Sequence, residues 1–158
     1  QVLQVNSGAN GLEFASVALS SLSADLDTNG HDIVTSSNAD LDLAPNGTGK
    51  VVVKGDASFA GAIDEAVYNL TGTALDPANG TIQYKTLSTN TTLTDSLSEG
   101  ESITLMIDDG SSYSVTFPTI TWVNNGGAAP TLATTGYTVI SLWKVSTTLY
   151  GALVGNGE

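Results

Sequence analysis

The chain has 158 residues, with four basic side chains against sixteen acidic ones and a formal net charge of −12. All the basic residues are lysines (Lys50, Lys54, Lys85, Lys144), there is no arginine or cysteine, and His31 and Met106 each stand alone of their kind. This argues against nucleic-acid binding, which needs clustered Lys and Arg, and excludes thiolate metal sites, cysteine nucleophiles and disulfide scaffolds. Charged residues are only 13%, hydrophobic residues 41%, and glycine numbers 17 among many Ser, Thr and Asn. That is the composition of an all-β protein rich in turns, and it is too hydrophobic for a disordered tail. No apolar run approaches the roughly 18 residues of a membrane span, so no membrane partner is expected. A start at Gln1, with no basic and apolar leader behind it, reads as a processed or partial piece of a longer polypeptide.

In chain order, two unlike regions are expected: a repeat-containing fibrous β segment over residues 1–66 and a globular β domain over residues 67–158. The first carries an internal echo. Ala24-Asp25-Leu26-Asp27 precedes Asn29-Gly30, and Ala39-Asp40-Leu41-Asp42 precedes Asn46-Gly47. Each Asn-Gly leads into an apolar run, Ile33-Val34 or Val51-Val52-Val53. Asn-Gly is a strong tight-turn signal because both residues tolerate positive φ. With a period of two, the leucines face one side and the aspartates the other. A short β unit that cannot bury its own face suggests stacking, here as an intertwined, homotrimeric shaft over residues 20–58. The one helical candidate is a turn around residues 60–66.

In the second region, strands are expected at Thr81–Thr86, Ser102–Ile107, Tyr113–Phe117, Thr119–Val123, Tyr137–Val145 and Thr147–Val154. They read as a small antiparallel, sandwich-like domain. Asp108-Asp109-Gly110-Ser111-Ser112 looks like a hairpin loop joining the second and third strands. Asn124-Asn125-Gly126-Gly127 opens an exposed turn that Pro130 ends. Alternate positions of Tyr137–Val145 are bulky, and Ile140 and Leu142 make the other face apolar, which predicts cover on both sides. Trp143 is expected in the core and Trp122 at the core rim, with a sugar-stacking platform as the second reading of Trp122.

Few residues offer chemistry. Asp25-Leu26-Asp27-Thr28-Asn29-Gly30 fits the opening of a calcium loop, but Ser36 stands where a bidentate Glu is needed, so an Asn-Gly turn is the better reading. A cation reading remains for Asp25, Asp27, Asp40 and Asp42, which would recur around a trimer axis. His31 follows a turn, and no strained nucleophile elbow accompanies it. Glu99, Glu101, Asp108 and Asp109 could be drawn as a glycosidase carboxylate pair, yet turn chemistry and solubility explain them more simply. No phosphate loop or dinucleotide fingerprint occurs, and neither a catalytic residue nor a cofactor is expected. The N-x-T triplets at Asn46, Asn69, Asn79 and Asn90 are the chance matches of a Thr- and Asn-rich chain.

The segment from Val2-Leu3-Gln4-Val5-Asn6 to Leu12-Glu13-Phe14-Ala15 resembles a recurring segment of tailed-bacteriophage fibre proteins. Ala24 to Gly55, with its Asn-Gly turns and Pro45-Asn46-Gly47-Thr48-Gly49, is similar to repeats in phage fibres and other virion structural proteins. The second region resembles a module that closes such proteins, through Asp108-Asp109-Gly110, Trp122, Gly136-Tyr137, Leu142-Trp143-Lys144 and Leu149-Tyr150-Gly151-Ala152. The resemblance implies a non-enzymatic, homotrimeric appendage on the surface of an extracellular virion. Its N-terminal region would contact other virion proteins and its tip a host cell-surface glycan or protein. Asp108, Asp109, Asn124, Asn125, Gly126 and Gly127 are the expected receptor-contact residues. Two rivals stand beside this reading: a capsid decoration or head-fibre protein, and a glycan-degrading fibre tip.

Overall fold

The computed structural model describes the backbone of Val2–Val5 and Leu12–Ala15, together with Gly8, Ile33, residues 39–47 and residues 49–157. The chain forms two units, residues 1–57 and 58–158. In the first, β1 (Val2–Val5) pairs antiparallel with β2 (Leu12–Ala15), with Val2 opposite Ala15 and Val5 opposite Leu12. The described part of residues 39–57 forms no strand. Its Pro45-Asn46-Gly47 turn is closed by Gly49 N–H donating to Asn46 O at 3.2 Å, with Gly47 at φ 62°. The second Asn-Gly turn is therefore present, and the first lies outside the described residues.

The second unit holds β3 (Val67–Asn69), β4 (Ala74–Leu75), β5 (Ile82–Thr86), β6 (Thr91–Thr92), β7 (Thr94–Asp95), β8 (Ser102–Asp108), β9 (Val115–Thr116), β10 (Thr121–Trp122), β11 (Thr138–Val145) and β12 (Thr148–Asn156). Two single 3-10 turns, Pro77–Asn79 and Asn125–Gly127, are the only helical elements among the described residues, and the protein is all-β. Residues 60–66 form no helix, and among the described residues no helix is long and apolar enough to cross a membrane.

Six strands make one sheet in the order β10-β12-β11-β8-β5-β3. Its centre follows directly from alternation. In Ser102-Ile-Thr-Leu-Met-Ile-Asp108, Ile103, Leu105 and Ile107 are buried, and in β11 Thr138, Ile140 and Leu142 are buried. β11 and β12 form a hairpin through a two-residue turn in which Ser146 takes φ 52°. A bulge between Val139 and Ile140 shifts the register of that pair. The buried face packs on Leu70, Leu75, Leu87, Leu93 and Leu97, which the short ladders and their loops bring over it. Tyr68, Phe117, Ile120 and Trp122 close the edges of this core.

Several expectations are corrected. The domain is not an antiparallel sandwich: β5 runs parallel to β8 and to β3, β10 runs parallel to β12, and the short pairs β4–β7 and β6–β9 are parallel as well. A parallel pair needs a long crossover. The chain between Thr86 and Ser102 supplies it and spends it on the leucines that cap the core. Nor does Ser102–Asp108 form a hairpin with the strand after it. Both edges of β8 are taken, by β11 and β5, so the chain turns away at Asp109 and β9 pairs with β6. Trp143 is not in the core: it alternates with the buried Leu142, lies on the opposite face and stacks on Tyr150 (6.0 Å between ring centres, 14° between planes). The second face of β11 is only partly buried within this chain, not covered. Trp122 does sit at the core rim, edge-to-face with Phe117 at 5.3 Å and 80°.

Candidate functional site

The expected receptor loops are built by left-handed residues. Asp109 takes φ 64° beyond the end of β8, and its carbonyl accepts from Ser112 N–H (3.1 Å) and Tyr113 N–H (3.2 Å). Asp108 Oδ1 accepts from the Asp109 N–H at 2.7 Å, so the first carboxylate shapes the turn and the second is exposed. Asn125, Gly126 and Gly127 take φ 56°, 68° and 79° in succession, a run that two glycines and an asparagine allow at little steric cost. Asn125 Nδ2 donates to Ala129 O at 3.2 Å.

Asn124 has a different task. Its Nδ2 donates to Leu153 O (2.9 Å) and its Oδ1 accepts from Leu153 N–H (3.1 Å). One step earlier Val123 N–H donates to Gly151 O at 3.0 Å. The amide thus continues the parallel β10–β12 ladder by one further rung with a side chain. It anchors the loop rather than presenting itself, although its residue is exposed.

Neither the groove beside Gly110 nor the threonine-lined cleft of the tip is lined by Asp108, Asp109 or Asn124–Gly127. What converges is Gly110 with the segment that follows the Asn-Gly turn. A Cβ on Gly110 would collide with Leu132 Cβ and stand 2.7 Å from Ala133 O, so glycine permits this approach. Between them lies an open groove of about 270 Å³, with Val115, Phe117, Pro130 and Leu132 as apolar walls and Tyr113, Ser114 and Thr131 among its polar lining.

A larger cleft of about 360 Å³ was not legible beforehand. Thr119, Thr121, Thr147 and Thr148 line it with Pro118, Leu149 and Asp95. Asp95 pairs with Lys144 at 2.6 Å and accepts from Leu97 N–H at 2.9 Å. Asp95 and Lys144 are far apart in sequence and no local motif joins them; β7 and β11 bring them together. Hydroxyls around a neutralised carboxylate can exchange hydrogen bonds with a polyhydroxylated ligand such as a glycan.

Of the cation candidates, Asp40 and Asp42 are exposed, while Asp25 and Asp27 lie outside the described residues, as does the turn histidine His31. Among the described residues no three His, Cys, Asp or Glu gather closely enough to hold a metal. Glu99 and Glu101 serve backbone turns, accepting from Ser146 N–H and Ser98 N–H. No protein-family model, curated protein or solved structure matches the chain.

Proposed function

We propose that this chain is a non-enzymatic virion structural protein: the shaft and tip of a trimeric phage fibre, whose tip attaches to a host surface. The observation that carries the reading is the apolar surface left in water at described positions between residues 33 and 67. Ile33, Leu41, Leu43, Val51, Val52, Val53, Phe59, Ile63 and Val67 are each 50% exposed or more. Burying a side chain of this kind contributes about 1.5–3 kcal/mol, so a single chain forgoes a large stabilisation that neighbouring copies can supply. The alternation in Asp40-Leu41-Asp42-Leu43 supports the same reading, since copies wound about an axis bury the leucines and keep the aspartates wet. The groove beside Gly110 and the threonine-lined cleft offer the tip two concave surfaces for a glycan or protein.

Light scattering of the full chain at micromolar concentration tests the proposal: three chains are expected, and a clean monomer overturns it. Labelling on intact particles then places it. Signal on the tail supports the fibre, and signal on the shell favours decoration of the capsid. Bacterial surface polysaccharide incubated with the protein is expected to keep its chain length; shortening would mark a depolymerase.

A further inference from the structure

The six-stranded sheet buries only one of its faces. On the other, strand alternation and register place three rows. Tyr84, Met106 and Val139 lie side by side across β5, β8 and β11. Ile82, Thr104, Ser141 and Ala152 form the next row, and Trp143 beside Tyr150 forms the third. Every one of these residues is partly exposed, and none belongs to the hydrophobic core or packs against it. The middle row is small on three strands, so a shallow trough runs between an aliphatic-aromatic ridge and the stacked Trp143–Tyr150 pair. Four strands at the usual spacing and rise span on the order of 400 Å². An unpartnered sheet face of that extent, with apolar rows on both sides of the trough, can serve as an interaction surface.

We infer that this open face is where a second copy of the chain packs, and the inference rests on the trimeric reading above. Charge selects the occupant. The chain carries −12, and two copies meet at least electrostatic cost where carboxylates are missing. Across these strands only Asp108, at the end of β8, places a charge on the open face. The face also holds hydroxyls but no amide or carboxylate in its centre to fix a sugar's orientation, whereas sheet faces of copies set around a common axis interdigitate without such groups. A ridge from one copy fits the trough of the next.

Two measurements on the full chain test this. Ser141→Arg puts a long cation into the trough at a partly exposed position, leaving the core untouched; Ser141→Ala is its control. Sedimentation velocity is expected to show the wild type and Ser141→Ala assembled and Ser141→Arg dissociating, with circular dichroism unchanged. An Arg variant that stays assembled at wild-type concentrations overturns the inference while leaving the trimer standing, held by other contacts. A monomeric wild type overturns both. Should Ser141→Arg fail to fold, the oxidation of Met106 in the wild type still decides. Met106 is the only methionine, and its oxidation by peroxide is expected about tenfold more slowly in the assembled protein than in the same protein diluted to the free monomer. Oxidation at the free rate overturns the inference, and oxidation slowed only by added polysaccharide reassigns the face to a sugar.

Discussion

Single residues carry unequal shares of this structure, and the exposed Asn124 carries more than its position in a loop suggests. Its amide makes both hydrogen bonds that a continuing β-strand would make with Leu153. Asn124→Ala is expected to lower stability by about 1–2 kcal/mol, read from urea unfolding, because it removes two bonds that each contribute about 1 kcal/mol. Asn124→Asp keeps the acceptor and loses the donor, so it falls between the two. Gly151 is constrained by space, not by φ. A Cβ there would stand 2.9 Å from each of Ile120 Cγ2, Leu142 Cδ2 and Trp122 Cζ3. Gly151→Ala is expected to cost about 1–3 kcal/mol through overpacking, with a matching fall in melting temperature. Gln83 is fully buried on β5: its Nε2 ties down Asp76 O (2.7 Å) and Gly80 O (2.9 Å), while its Oε1 has no hydrogen-bond partner. It holds the 3-10 turn at Pro77–Asn79 against the sheet.

Among the elements, the long strands of the second unit were legible; of the short ones, β9 and β10 fall inside the expected Tyr113–Phe117 and Thr119–Val123, while β4, β6 and β7 had no sequence signal. Ser102–Asp108, Thr138–Val145 and Thr148–Asn156 alternate over enough residues for period two to be unmistakable, and they lie within a residue or two of the expected bounds. β4, β6, β7, β9 and β10 are two residues each, too short for any period, and exist because a partner strand lies alongside. The same asymmetry governs energetics. Leu105→Ala, at the fully buried centre of β8, is expected to cost about 2–5 kcal/mol in urea unfolding monitored in the tip. Leu41→Ala, at a side chain half exposed in the chain, is expected to leave that transition unmoved and to lower the stability of the proposed trimer. Equal effects of both substitutions on the tip would refute the division of labour between shaft and tip.

For the whole molecule, the proposed trimer would link charge and assembly. Three copies carry three times −12, or −36 in formal charge, and salt shortens the range of that repulsion. The proposed trimer is expected to melt at a higher temperature in 1 M than in 0.05 M sodium chloride, in a pair of scanning-calorimetry traces. The opposite trend would point to stabilising ion pairs between copies. The pair Asp95–Lys144 is partly shielded within one chain, with side-chain exposures of 19% and 18% respectively, so salt acts on it weakly.

The sequence by itself determined the all-β class, the turn chemistry at Asp109 and at Asn124–Gly127, and the exclusion of thiol-based chemistry. Composition, short-range alternation and positive-φ residues are local properties, and local properties need no partner to be read. Only the tertiary structure decided the strand directions, the pairing of Asp95 with Lys144 and the groove between Gly110 and Leu132. These depend on which distant segments meet, and a two-residue ladder or a 49-residue separation leaves no mark in the local pattern. The apolar second face of Tyr137–Val145 joins the two levels. Its pattern called for cover on both sides, and the fold of one chain supplies cover on one, because Leu70, Leu75, Leu87, Leu93 and Leu97 all pack on the buried face.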